Sequence, residues 1–136
     1  MKNNQALADL SVQIALFDKQ HAEIYDLLET LKRAINKGTP LTEMFYGIDM
    51  LIDKALFHFK SEEEPMLKFN YDGYQAHKKE HDELMERLTQ KRTNLTTSFS
   101  VQELRLIIDE VQRWIIKHIT EKDKYYTEFL HDQGMA

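Results

Sequence analysis

The histidines and carboxylates of this chain have the spacing of metal ligands. His58 and Glu62 are four residues apart, as are His77 and His81, and this spacing places each pair on one face of a helix. The chain has six histidines and no cysteine, which excludes thiolate zinc sites, iron–sulfur clusters, disulfides and thiol catalysis. Imidazole and carboxylate are therefore the donors available to a transition metal.

Five of the six histidines fall within apolar series that repeat at helical spacing. They are His21, His58, His77, His81 and His118. A single histidine in a helical core is usually a hydrogen-bonded structural residue. Five imidazoles in one small core would lose their hydration without compensation unless a cation bound them. Counted from the turn between the first two helical segments, His21 and His58 also lie at the same level within about 3 Å. The pattern predicts a metal site.

Spacing identifies one carboxylate ligand clearly and leaves the other open. In the acidic run at 62–64 only the first residue, Glu62, lies on the apolar stripe, and the other two are interpreted as a solvated face. Asp123 follows His118 by five residues, which is about 140° around an ideal α-helix. By spacing alone, Glu121 and Glu110 compete with Asp123 for the same role.

Four amphipathic segments must position these side chains. A Gly-Thr-Pro sequence at 38–40 and an Asn-Tyr-Asp-Gly sequence at 70–73 predict the first two breaks. A polar loop at 93–100 predicts the third, and Ser100 with Glu103 forms a capping box that starts the last helix. Pro65 should kink the second helix or end it early. The predicted helices cover residues 11–36, 41–68, 74–92 and 101 to about 130.

Composition agrees with this all-α interpretation. The chain has 136 residues with only four glycines and two prolines, too few turn formers for a β-sandwich or barrel. We predict one domain, residues 1–136, folded as an antiparallel up-down-up-down four-helix bundle, with residues 1–10 as an N-terminal arm. The short connections between neighbouring segments favour this topology.

Several classes of partner are excluded by charge and hydropathy. The formal net charge is −5 and the basic residues are scattered among acidic ones, which predicts no binding to nucleic acid or membrane. The N-terminus lacks the continuous apolar run of a signal peptide. A cytoplasmic location is expected, and the oligomeric state is left open, a monomer included.

The whole donor set follows H-x₃₆-H-x₃-E-x₁₄-H-x₃-H-x₃₆-H-x₄-D, with DKQH at 18–21, HFKSEE at 58–63, HKKEH at 77–81 and WIIKHITEKD at 114–123. This pattern resembles the hemerythrin family, in particular its single-domain bacterial members. The resemblance selects Asp123 as the last ligand. Di-iron carboxylate bundles instead use Glu-x-x-His motifs, which the candidate ligands here lack. The metal ligands implied are His21, His58, Glu62, His77, His81, His118 and Asp123.

The resemblance implies two Fe ions, oxo- or hydroxo-bridged, that both carboxylates also bridge. His77, His81 and His118 would saturate one ion, whereas His21 and His58 would leave one position open on the other. The implied function is reversible O₂ binding without catalysis, for storage, delivery or sensing. The alternative is a di-iron redox enzyme that acts on peroxide or nitric oxide at the same centre.

Matching family positions also imply an O₂ pocket and a supporting residue. The pocket residues are Ile24, Phe59, Trp114, Ile115, Ile119 and Tyr126. Tyr71 is expected to hydrogen-bond to Glu62 and thereby orient it. This sequence departs from the family by lacking a Trp in the arm and by having Ile115 where Leu is common. His131 matches no motif position and is predicted to be solvated.

Overall fold

The fold is an antiparallel up-down-up-down four-helix bundle, as predicted. The computed structural model describes residues 10–95 and 100–136. We call each of the four helical segments of the bundle a rod. The fourth rod, residues 101–132, has three consecutive parts. The elements are α1 (Ala15–Asn36), α2 (Leu41–Lys68), α3 (Tyr74–Asn94), α4 (Val101–His118), a π-helical segment (Ile119–Asp123) and α5 (Lys124–Asp132).

The apolar stripes of the helices meet along the bundle axis, where Leu28, Leu51, Leu104 and Ile108 are fully buried. α1 packs closely against α2 because Gly47 has no side chain, and a Cβ at that position would overlap the side chain of Leu31. Within the described residues, no helix combines the length and apolar character needed to cross a membrane. The inward faces of the four helical segments enclose a core, in which the predicted metal ligands lie.

The first helix begins later than predicted, at Ala15 rather than at residue 11. The Asp18 carboxylate explains the difference, because it accepts a hydrogen bond from the Ser11 hydroxyl at 2.7 Å and from the Val12 amide at 2.9 Å. Polar groups before α1 are thus satisfied without a helical turn. His131 also contacts this segment, since its Nε2 donates to the Gln13 carbonyl at 2.9 Å. His131 is therefore half-buried and only partly solvated.

Proline does not end the second helix early, because α2 continues for three residues beyond Pro65. The predicted cap of the fourth rod is confirmed, since the Ser100 hydroxyl accepts from the Glu103 amide at 3.1 Å. α3 extends to Asn94, two residues beyond its predicted end. Most of the predicted arm and the centre of the predicted loop, residues 1–9 and 96–99, lie outside the described residues.

Candidate metal centre

All seven predicted ligand side chains converge inside the bundle. They come from all four rods, and none is more than 4% exposed. α1 contributes one, α2 and α3 contribute two each, and the fourth rod contributes the last two. The convergent residues are His21, His58, Glu62, His77, His81, His118 and Asp123.

The donor atoms form two groups that share both carboxylates. The three-histidine group contains His77, His81 and His118, and the two-histidine group contains His21 and His58. Glu62 and Asp123 belong to both, and within each group the donor atoms lie within 4.8 Å of one another. Two metal ions, one for each group, could therefore be bound side by side.

Each shared carboxylate directs one oxygen to each group. On the three-histidine side, Asp123 Oδ1 lies 2.9 Å from His77 Nε2, and Glu62 Oε1 lies 3.1 Å from His81 Nε2. On the other side, Asp123 Oδ2 lies 3.2 Å from His21 Nε2, and Glu62 Oε2 lies 3.3 Å from His58 Nε2. This is the arrangement expected of two carboxylates that bridge a pair of cations.

Six buried polar atoms of this cluster lack hydrogen bonds among the described residues. All four oxygens of Glu62 and Asp123 and both ring nitrogens of His21 have no hydrogen-bond partner among the described residues. Buried polar groups are normally satisfied. In addition, His118 Nε2 lies 3.1 Å from the Nε2 atoms of both His77 and His81. The Nδ1 atoms of His81 and His118 face carboxylates and so carry the ring protons, which leaves the Nε2 lone pairs facing each other. A cation between them would relieve this repulsion, so the donor set fits metal.

The buried carboxylates also favour positive charge within the cluster. Burial alone lowers the pKa of His21, but the close carboxylates of Asp123 and Glu62 outweigh burial and raise it to about 9. The pKa of His77 rises to about 9 for the same reasons. Burial alone raises the pKa of Glu62, but the charge of His58 and the contacts with the other imidazoles hold it well below its ordinary value.

The π-helical segment brings Asp123 into the site. A π-helix closes its hydrogen bonds over five residues rather than four, so Asp123 returns to the face of His118 and its Oδ1 lies 3.1 Å from His118 Nε2. The Thr120 hydroxyl donates to the Ile116 carbonyl where the wider turn begins. The two competing carboxylates lie elsewhere. Glu121 is exposed, and Glu110 pairs with Arg87 at 2.6 Å.

A small apolar cavity of about 20 Å³ adjoins the cluster, enough for a molecule of one or two non-hydrogen atoms. Both ligands that are unique to the two-histidine group, His21 and His58, line it, whereas the three-histidine group contributes only His118 of its own. Five of the predicted pocket residues also line it, namely Ile24, Phe59, Trp114, Ile115 and Ile119. Sequence reasoning missed four more apolar lining residues, which are Leu51, Ala55, Leu84 and Val111.

Tyr126, the sixth predicted pocket residue, lies elsewhere. Its ring stacks on Phe17 and contacts Tyr71 and His77, and its hydroxyl donates to the main-chain carbonyl of Glu62 at 2.7 Å. The hydrogen bond expected from Tyr71 to the Glu62 carboxylate is absent, since neither oxygen of that carboxylate has a partner among the described residues. Tyr71 instead packs on Tyr126, which thus supports Glu62 through the backbone.

Three polar residues that bind the far ring nitrogens of the histidines were missed at the sequence level. Gln20 contacts His58, Glu63 contacts His81, and Glu80 contacts His118. The prediction that Glu63 belongs to a solvated face is therefore wrong. Each of the three is next in sequence to a predicted ligand of its own helix and contacts a ligand of the following helix. Their position next to a predicted ligand is the sequence feature that could have identified these three residues.

The fold and the site together define a cation-binding four-helix bundle. Residues 12–130 match the family model described as the hemerythrin HHE cation binding domain. The chain belongs to the hemerythrin family.

Relatives of known name support this membership over most of the chain. The chain is 33% identical to a bacteriohemerythrin of Methylococcus capsulatus, covering 88% of this chain and 89% of that one. It is 31% identical to a hemerythrin chain of Sipunculus nudus, covering 90% and 91%. A crystal structure of wild-type hemerythrin superposes with a TM-score of 0.73 at 29% identity, covering 85% of this chain and 87% of that one.

Proposed function

We propose that this protein binds O₂ reversibly at a non-haem di-iron centre. His77, His81 and His118 would hold one iron, and His21 and His58 would hold the other. Glu62 and Asp123 would bind both ions. The observation that carries the proposal is the division of donor atoms into two groups that share both carboxylates.

Iron fits the chemistry of the donors, and membership of the hemerythrin family favours it over zinc or manganese, which the same donors also accept. Five imidazoles and two carboxylates, without any thiolate, suit iron among the transition metals. When bound, the iron pair would supply both the coordination position and the electrons that O₂ takes up. The protein's part is to hold the ligands in place and to keep bulk water away from them.

The cavity supports a small, uncharged ligand at the two-histidine ion. This ion has one imidazole fewer than its neighbour, and the cavity adjoins both of its own histidines, His21 and His58. The apolar lining favours entry of an apolar gas over that of water or an anion. The cavity of about 20 Å³ has room for a small molecule such as O₂.

The lining also favours binding over catalysis. Apart from the proposed ligands, every described side chain at the cavity is aliphatic or aromatic. No further acid or base therefore stands at the cavity among the described residues to transfer a proton to a bound substrate. A site of this kind is compatible with storage, delivery or sensing of O₂.

One purified sample tests the proposal. We expect two irons per chain by metal analysis, and a visible absorption that bleaches on anaerobic reduction and returns on titration with O₂. One metal per chain after full reconstitution, or a reduced protein that does not react with O₂, would contradict the proposal. Steady consumption of peroxide or nitric oxide over many turnovers would favour the enzyme alternative.

A further inference from the structure

The hydrogen-bond partners of the histidines differ between the two groups of donors. In the three-histidine group, His81 Nδ1 lies 2.8 Å from the Glu63 carboxylate and His118 Nδ1 lies 3.1 Å from the Glu80 carboxylate. In the two-histidine group, His58 Nδ1 lies 2.6 Å from the side-chain amide oxygen of Gln20. The remaining histidine of that group, His21, has no partner for Nδ1 among the described residues.

The direction of the His58 hydrogen bond follows from its neighbours. The Ser61 hydroxyl donates to the Phe57 carbonyl at 3.0 Å, so its oxygen is free to accept from the Gln20 amide nitrogen, which lies 3.0 Å away. That contact turns the amide oxygen of Gln20 toward His58. His58 therefore donates from Nδ1 to a neutral acceptor, and its Nε2 presents a lone pair to the metal site.

The partners on the three-histidine side carry negative charge instead. Glu63 and Glu80 are partly exposed, and Glu80 is also paired with Lys122 at 3.3 Å. A carboxylate that accepts from Nδ1 makes the imidazole a stronger donor to a metal at Nε2. Gln20 is 6% exposed, and a neutral amide is much less costly to bury there than a carboxylate.

We propose that Gln20, Glu63 and Glu80 are positioning residues that make the two metal ions unequal. The carboxylates strengthen imidazole donation to the three-histidine ion, whereas the amide of Gln20 leaves donation to the two-histidine ion weaker. The inference rests on the proposed two-metal site. The two ions would already differ in the number of histidines that bind them. The strength of donation from each histidine is a second difference, and it favours an exchangeable ligand at the two-histidine ion.

Three variants with matched controls test the inference. Glu63→Gln and Glu80→Gln remove a charge but keep an acceptor oxygen, and Gln20→Glu adds a charge in nearly the same shape. The control for the first two is Glu64→Gln, and the control for the third is Gln75→Glu. Both control residues are exposed and lie within two residues of a proposed ligand. Co²⁺ titration against a competing chelator gives two dissociation constants for each protein.

We expect Glu63→Gln and Glu80→Gln each to weaken the tighter step by about 10- to 100-fold. Gln20→Glu should tighten the weaker step and, in the iron-loaded protein, lower the reduction potential of the centre. A role limited to packing would leave both binding steps close to those of the control variants, because each substitution nearly preserves the shape of the side chain. If Gln20→Glu does not fold, as judged by helix content, the two glutamate variants still test whether one step changes without the other.

The possible failures are distinguishable. Wild-type protein that binds fewer than two Co²⁺ ions per chain would overturn the proposed function and this inference with it. Two bound ions in the wild type, with variants that behave like their controls or that weaken both steps equally, would overturn the inference alone. The two ions would then differ only by their number of histidines.

Discussion

His118 Nε2 and Asp123 Oδ1 lie 3.1 Å apart although the two residues are five positions apart in the sequence. In an ideal α-helix the two side chains would point about 140° apart. The π-helical segment Ile119–Asp123 reduces this angle by widening a single turn. A local change in helix type thereby supplies the carboxylate that both donor groups share.

Replacement of this carboxylate should affect both metal ions. Asp123→Ala removes a ligand from each group, so we expect metal affinity to fall by more than the 10- to 100-fold that is typical of losing an outer hydrogen bond to a ligand. Glu121→Ala should leave metal content unchanged because Glu121 is exposed. Metal analysis after gel filtration measures both variants. Similar metal loss from the two would contradict the assignment of Asp123.

Filling the cavity should weaken O₂ binding without loss of metal. Ile115 lines the cavity, and Ile115→Phe would crowd a space of about 20 Å³. Because the larger side chain and O₂ would compete for the same space, we expect O₂ affinity to fall by about 10-fold or more, or about 1.4 kcal/mol of binding free energy. The neighbouring variant Ile116→Phe is the control, since Ile116 is 41% exposed. An O₂ titration that gives equal affinities for the two variants would argue against this cavity as the binding pocket.

Two histidines of opposite role offer a simple test of the donor set. His77→Ala should lose metal because His77 Nε2 lies 2.9 Å from Asp123 and 3.1 Å from His118 Nε2. His131→Ala should keep full metal content and lose about 1 kcal/mol of stability, because it removes only the hydrogen bond to the Gln13 carbonyl. Metal analysis and thermal unfolding measure these outcomes. Metal loss from His131→Ala would show that the donor set is incomplete.

Removal of metal should reverse the pH dependence of stability. In chelator-treated protein, the pKa values of His21 and His77 rise from 6.5 to about 9, because the buried carboxylates outweigh burial. Their stabilising contribution is complete below about pH 6.5 and is lost as the pH rises through about 9. The metal-loaded protein should instead lose stability on acidification, since protons compete with metal for the ligands.

Thermal unfolding of both forms between about pH 6 and pH 9 measures this difference. Glu62 and Asp123, whose pKa values are lowered in the fold, contribute stability that is lost only at lower pH. They therefore stay ionised across the window and do not obscure the result. A chelator-treated protein that becomes more stable from about pH 6 to about pH 9 would contradict the prediction.

Helices and their inward faces could be predicted from periodicity, and turn and cap residues gave some of the ends, including both ends of α2, but not the start of α1. The series of Ile24, Leu28, Leu31 and Ile35 is fully apolar and is buried as expected. The start of α1 was misplaced because the Asp18 carboxylate satisfies the polar groups of the preceding residues. These hydrogen bonds join residues six and seven positions apart, and the spacing of apolar residues does not predict them.

What the sequence determined by itself is the bundle and the approximate level of the histidines, because apolar spacing dictates which face of each helix is buried. The tertiary structure decided how each side chain is used. It assigned one oxygen of each shared carboxylate to each donor group, placed Tyr126 behind Glu62 rather than at the cavity, and paired Gln20 with His58. These relations depend on distances of about 3 Å between different helices, which only the packed bundle defines.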